Sequence, residues 1–262
     1  MKVYVKCKKN PNSGLTIGHS ENMTKAIYGF SELGAEIIPY KSLDEVYDII
    51  TREDIVVDYI AQCDAIFEKF GYGNVHIDDY PKCLEKYLGR KVWYDTIESI
   101  SSNKEKWSAG WFIKPTKSKA FTGKVISSIN DLIGCGKYDE NYEVICSESV
   151  DFKREWRIFI YYDELYDIRP YKGDYHYVYD PAVIDNILND FRKWDNRPNA
   201  CSIDIGVTSD NKTLLIECND AYALGSYGLV DFKYAKLISA RWAQIFNRED
   251  IFDFRRFGKE GL

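Results

Sequence analysis

The chain has 262 residues, 45% hydrophobic and 29% charged, and a formal net charge of −6. That length can bury a substantial core in one large domain or two small ones, and the composition is ordinary for a globular protein. The acidic balance argues against a nucleic-acid-binding surface, and no apolar run is long enough to span a membrane.

The seven cysteines, at positions 7, 63, 83, 135, 146, 201 and 218, are odd in number and form no CxxC pair. This is the pattern of reduced thiols in a cytoplasmic protein, not of a disulfide frame or a zinc site. His19, His76 and His176 are too far apart in sequence to suggest a histidine-rich metal centre. The 21 tyrosines read as polar-tipped aromatics at the edge of a core.

In chain order, residues 2–7 form a short strand, and Met1-Lys2-Val3-Tyr4-Val5 lacks the apolar core and cleavage site of a signal peptide. Met23, Ala26, Ile27, Phe30 and Leu33 recur at helical spacing, and Gly34 stops that helix. Residues 36–39 form a second strand. Ser42-Leu43-Asp44-Glu45 has capping-box spacing and opens a helix through Ile50. A third strand at 54–57 leads into a helical stretch ending near Phe70. Strands alternating with helices predict a parallel sheet.

From residue 108 the texture changes. Trp111-Phe112-Ile113-Lys114-Pro115 is a strand ended by proline, followed by a lysine-rich loop from Thr116 to Lys124. Residues 142–150 are apolar, and Glu155 to Tyr162 alternate strongly. A helix near 181–194 precedes a hairpin, and a last helix runs from Asp231 to Phe246. The serine cluster at 99, 101 and 102 marks a boundary near 95–108. The expected division is an N-terminal α/β domain over 1–100 and a second domain over 101–262, an α+β arrangement overall.

The hairpin carries the sharpest signal. Residues 201–207 and 214–219 flank a turn, and if the turn centres on Asp210-Asn211, Asp204 and Glu217 are cross-strand partners. Two-residue alternation then puts Asn219 beside Glu217 and sends Ile203, Ile205, Ile216 and Cys218 into a core. Two carboxylates facing each other in apolar strands need a compensating charge, and magnesium with the amide oxygen of Asn219 supplies one. The plainer alternative is a solvated edge hairpin. Lys114 ends an apolar strand, and alternation puts Glu155 and Arg157 on one face and Trp156, Ile158 and Ile160 on the other. Interstrand ion pairs explain these charges one at a time, whereas a bound polyphosphate explains them together. The Lys117, Lys119, Gly123 and Lys124 loop either closes over phosphates or is simply solvated. Gly134-Cys135-Gly136-Lys137 lacks the spacing and final Ser/Thr of a Walker A loop, and no dinucleotide fingerprint occurs.

A strand lysine, a Glu-x-Arg strand, an Asp strand and a Glu-x-Asn strand, in that order, resemble the ATP-grasp superfamily. The segments are Phe112-Ile113-Lys114-Pro115, Glu155-Trp156-Arg157, Ile203-Asp204-Ile205-Gly206 and Ile216-Glu217-Cys218-Asn219. With Gly225-Ser226-Tyr227-Gly228, the chain looks like a little-characterised clade of stand-alone ATP-grasp proteins found in bacteria and phages. The resemblance implies an ATP-grasp fold, two α+β subdomains clasping a nucleotide, over residues 108–246 after a small α/β domain. It implies ATP phosphates on Lys114, magnesium on Asp204, Glu217 and Asn219, and phosphate or a reacting carboxylate on Arg157. It also implies an adenine hinge at 146–150, with Glu148 or Glu155 on the ribose and Lys91, Lys104 or Lys106 as a further phosphate ligand. The implied activity is ligation of a small-molecule or peptide carboxylate to an amine or other nucleophile, with Arg169, Tyr171 and Lys172 as candidate substrate contacts. An ATP-binding regulatory module and an ATP-dependent phosphotransferase are the alternatives.

Overall fold

The computed structural model describes residues 1–73, 75–116, 120–136 and 141–256. The chain begins with β1 (Lys2–Lys9) and β2 (Thr16–Gly18), followed by α1 (Glu21–Glu32), β3 (Glu36–Tyr40), β4 (Ile55–Val57) and α2 (Ile60–Lys69). β3 and β4 both run parallel to β1, while β2 folds back antiparallel onto the end of β1. Val3, Val5, Ile55 and Val56 are completely buried, as expected when helices cover a parallel sheet.

One expected helix does not form. Residues 42–50 make two short 3-10 turns, Leu43–Glu45 and Tyr47–Ile49, and the Ser42 side chain accepts no backbone N–H to cap the first. Glu45 instead accepts from the Lys41 amide. The spacing of a capping box was present, but its reciprocal bonds are not, so no longer helix is nucleated.

A second sheet is antiparallel, in the order β5 (Val92–Thr96), β8 (Glu143–Ser147), β6 (Trp111–Pro115), β7 (Lys124–Ile126). Two short helices, α3 (Ile97–Ser101) and α4 (Lys104–Trp107), occupy the serine-rich stretch. A small separate core lies here, around Ile100, Ile113, Ile126, Cys135, Val144 and Cys146.

The third sheet is antiparallel, in the order β10 (Glu164–Gly173), β9 (Phe152–Tyr161), β11 (Ala200–Thr208), β12 (Thr213–Asp220). It is covered on both faces, which explains why β9 and β11 are buried along nearly their whole length. Trp156, Ile158, Ile160, Ile203 and Ile205 pack against α5 (Pro181–Phe191) and a 3-10 turn over Lys82–Tyr87. Phe159, Tyr161 and Ala200 face the other way and share one core with the N-terminal sheet and α6 (Asp231–Ile245). Gly29 allows α1 to touch the start of α6, since a Cβ there would lie 2.0 Å from the Asp231 carbonyl oxygen. Among the described residues no helix is long and apolar enough to cross a membrane.

Candidate functional site

The β11–β12 hairpin sets the site. Asp204 and Glu217 are direct cross-strand partners, but the turn is not centred on Asp210-Asn211. Thr208 receives the Asn211 N–H at 3.0 Å and itself donates to the Lys212 carbonyl, and Asn211 has φ 60°. The loop is therefore the three-residue type closed by a left-handed residue. It puts Val207 opposite Thr213 and Ile205 opposite Leu215, and a bulge between Asp204 and Ile205 then restores Asp204 to Glu217. The extra residue is Ile216. It is only partly buried and belongs to none of the three cores, while Leu215 takes the inward position expected of it. Ile203, Ile205 and Cys218 do point into that core. Arg90 answers the bulge by donating to the carbonyls of Leu215 at 2.7 Å and Ile216 at 2.8 Å.

Strand pairing aligns a row of charges across this sheet. Arg169 on β10 lies opposite Arg157 on β9, Arg157 opposite Asp204 on β11, and Asp204 opposite Glu217 on β12. Arg157 grips Asp204 with two bonds, Nε to Oδ1 at 2.8 Å and Nη2 to Oδ2 at 2.7 Å. Both groups are buried. Burial and the Glu217 and Glu155 charges push the Asp204 carboxyl up, despite the opposing pull of Arg157. Arg157 also donates to the Gly225 carbonyl at 3.3 Å and lies 4.4 Å from the centre of the Tyr227 ring. Tyr227 has φ 41° and packs against Tyr171, itself the bulged residue between Pro170 and Lys172.

Lys114 reaches over from the second sheet. Its Nζ stands 2.6 Å from Glu217 Oε2 and 2.7 Å from Asp79 Oδ2, with the Tyr80 ring centre 4.6 Å away. Burial disfavours the ammonium, yet Glu217, Tyr80 and Asp79 together raise its pKa. Burial also works against the Glu217 carboxylate, but Lys114, Arg157 and a hydrogen bond from Asn219 hold it below the usual range. The Asn219 amide N–H also donates to Asp204 at 3.3 Å. The compensating charge demanded by the facing acids thus comes from Arg157 and Lys114, so the interstrand ion pairs are present and Asp204 is not solvated.

The other expected residues are distributed around this centre. Glu155 pairs with Lys172 at 2.6 Å, and Arg169 with Asp167 at 2.9 Å. Exposed Glu148 accepts from the Lys91 amide at 2.9 Å across the β5–β8 edge. Lys106 is tied to Asp95 at 2.7 Å and to Ser99, and Lys124 to the Ile133 carbonyl at 3.2 Å, so both are engaged within the second sheet and its helices. Lys117 and Lys119 lie outside the described residues. Asp79, Tyr80 and Arg90 were missed by sequence reasoning. The Asp78-Asp79-Tyr80-Pro81 run, two acids before a proline, was the available signal. A separate depression between the Lys82–Tyr87 turn, β5 and α5 does not include Lys114, Arg157, Asp204 or Glu217. Two of its lysines, Lys86 and Lys193, are both paired with Asp190.

The ATP-grasp domain of R2K clade family 2 matches residues 87–237. The chain belongs to that family. No curated protein matches it in sequence. Solved structures of similar fold include a D-alanine–D-alanine ligase from Bacillus anthracis complexed with ATP, at 12% identity and TM-score 0.56, covering 94% of this chain and 99% of that one. Another is the N5-carboxyaminoimidazole synthetase from Staphylococcus aureus, at 9% identity and TM-score 0.56, covering 95% of this chain and 77% of that one. D-cycloserine synthetase DcsG matches at 10% identity and TM-score 0.57, over 94% of this chain and all of its own length. At these identities the likeness establishes the ATP-grasp fold.

The donor set suits a hard cation. Among the described residues no group of three or more His, Cys, Asp and Glu side chains gathers as a metal cage. A cation here would rely on two carboxylates, one amide oxygen and oxygens brought by a ligand, which is how magnesium is usually held beside phosphates.

Proposed function

We propose that the chain is an ATP- and magnesium-dependent ligase that joins a carboxylate to an amine or other nucleophile through an acyl phosphate. The observation that carries this reading is the meeting of Lys114 with Glu217 beside the Arg157–Asp204 pair, in a chain of the ATP-grasp family. Lys114 and Arg157 are the cations that meet the two facing acids. When nucleotide enters, Lys114 holds its phosphates, and Asp204, Glu217 and Asn219 offer their oxygens to magnesium. Bound magnesium supplies charge neutralisation for the transferring phosphoryl group.

Arg157 meets the negative charge that develops on the phosphate or on the reacting carboxylate. Its guanidinium is fixed by Asp204 and the Gly225 carbonyl, so little reorganisation is needed as charge develops. Glu148 and Glu155 are the candidate ribose contacts. Arg169, Tyr171 and Lys172, next to Arg157 on β10, are the candidate substrate contacts. The structures named above, two synthetases and a ligase, support ligation of a small molecule, and a peptide carboxylate is the other candidate substrate. The seven unpaired thiols suit a reducing cytoplasm.

The test is a screen of carboxylates and amines, in pairs and singly, for ADP and phosphate release with magnesium. Turnover that requires both components supports ligation. A phosphorylated product that persists without a nucleophile would replace ligation with phosphoryl transfer, and tight ATP binding without turnover in any pool would replace it with a binding module.

A further inference from the structure

Lys114 carries one positive charge and touches two carboxylates, Glu217 at 2.6 Å and Asp79 at 2.7 Å. The two acids differ in origin. Glu217 is part of β12, whereas Asp79 comes from the irregular segment between α2 and the Lys82–Tyr87 turn. The main chain of that segment is pinned. Cys218 donates its N–H to the Asp79 carbonyl at 2.9 Å, Arg241 donates to the Val75 carbonyl at 2.7 Å, and the Tyr80 N–H is held by Asp78 Oδ1 at 2.9 Å. The Asp79 side chain is not pinned in this way. It is 40% exposed, against 28% for Glu217 and 11% for Lys114, and its one side-chain partner is the lysine among the bonds and ion pairs of the described residues.

We propose that Asp79 is a built-in stand-in for a phosphate oxygen, occupying the position on Lys114 that nucleotide would take and leaving by side-chain rotation when nucleotide enters. This rests on the reading of Lys114 as a phosphate ligand. A carboxylate oxygen and a phosphate oxygen are both anionic acceptors that approach an ammonium at the same short distance. They cannot share Lys114 with Glu217 without mutual repulsion, and Asp79 is the acid that rehydrates most easily. Of the two carboxylates on Lys114, only Glu217 is held below its usual range. Burial pushes the Asp79 carboxyl up, and the neighbouring charges of Glu217 and Asp78 act in the same direction against the pull of Lys114. Rotation leaves the Cys218–Asp79 main-chain bond intact, so Tyr80 stays beside the lysine and the segment does not have to unfold. Asp79 therefore acts as a positioning residue. It keeps Lys114 turned toward β12 before nucleotide binds, and its departure sets part of the cost of binding.

The experiment is calorimetric titration of ADP, in the presence of magnesium, into the full chain and into its Asp79→Asn, Asp79→Ser and Lys114→Met variants. Removing the competing charge should tighten ADP binding about fivefold in both Asp79 variants, the equivalent of about 1 kcal/mol for a partly exposed ion pair. The gain should shrink in high salt, where that pair is already screened. Lys114→Met should bind ADP more weakly than the parent. Unchanged or weaker ADP binding in both Asp79 variants, with Lys114→Met still impaired, would overturn the stand-in role and leave the phosphate reading of Lys114 in place. If Lys114→Met binds ADP like the parent, the phosphate reading itself fails and the stand-in role falls with it.

Discussion

Arg169 and Glu217 are three strands apart but stand on the same lateral row of the third sheet, with Arg157 and Asp204 between them. The row reads two cations and then two anions. Like charges are therefore neighbours at each end, and each end needs help from outside the row. Asp167 provides it for Arg169, and Lys114 provides it for Glu217. The inner pair, Arg157 and Asp204, satisfies itself.

That inner pair should dominate the stability of the row. With Arg157 removed, Asp204 would be a buried carboxylate with no cation, so Arg157→Met should cost about 3–5 kcal/mol in urea denaturation. The double variant Arg157→Met/Asp204→Asn removes the orphaned charge as well and should recover much of that loss. A double variant as unstable as the sum of the two single changes would show that the residues do not act as a pair.

Glu217 gives a pH dependence of definite sign. Its folded carboxyl is held below the usual range, so its contribution is complete above the ordinary glutamate range and is lost as pH falls through the lowered folded value. Glu217→Gln should therefore be less stable than the parent at pH 7, and the gap should close as acid protonates the parent residue. Denaturation midpoints of both chains from pH 7 down to the acid limit of the fold check this. A gap that widens in acid would contradict the Lys114–Glu217 assignment.

Arg90 should matter more than its place outside the charge row implies. Its guanidinium is the side-chain donor to the Leu215 and Ile216 carbonyls at the bulge, and it also reaches the Leu88 carbonyl at 3.0 Å. Arg90→Met leaves partly buried acceptors unmatched and should cost about 1–3 kcal/mol. Lysine has no planar fork to span neighbouring carbonyls, so Arg90→Lys should recover only part of the loss. Denaturation curves indistinguishable from the parent would mean that the bulge does not depend on Arg90.

Much of this was legible in the chain. The alternation of Glu155 and Arg157 with Trp156, Ile158 and Ile160 gives the faces of β9, because the apolar side chains go to a core while the buried charges go to opposite charges on the neighbouring strands. The Asp204–Glu217 pairing was also reached correctly, but through two compensating departures from the simple hairpin. The turn is one residue longer than a centre on Asp210-Asn211 implies, and the bulge at Ile216 takes up that residue. No local sequence signal announces a bulge whose carbonyls are answered by an arginine 125 positions away. The same holds for Asp79, which meets Lys114 only through the folding of an irregular segment onto β12. Residues 42–50 failed in the opposite way: the local signal was present and its bonds were not made.

The small core under the second sheet has a mechanical consequence. The first and third sheets share one continuous interior, from Val3 to Phe252, whereas among the described residues the sheet bearing Lys114 rests on six fully enclosed side chains and a rim of partly covered hydrophobic ones. Local opening is least costly where few buried contacts must be broken. Amide hydrogens of β5 to β8 should then exchange with solvent ahead of those of β9 and β11. The lysine would ride on the softer body and the acids on the stiffer one, so the ion pair between them acts as a latch across two regions of unequal rigidity.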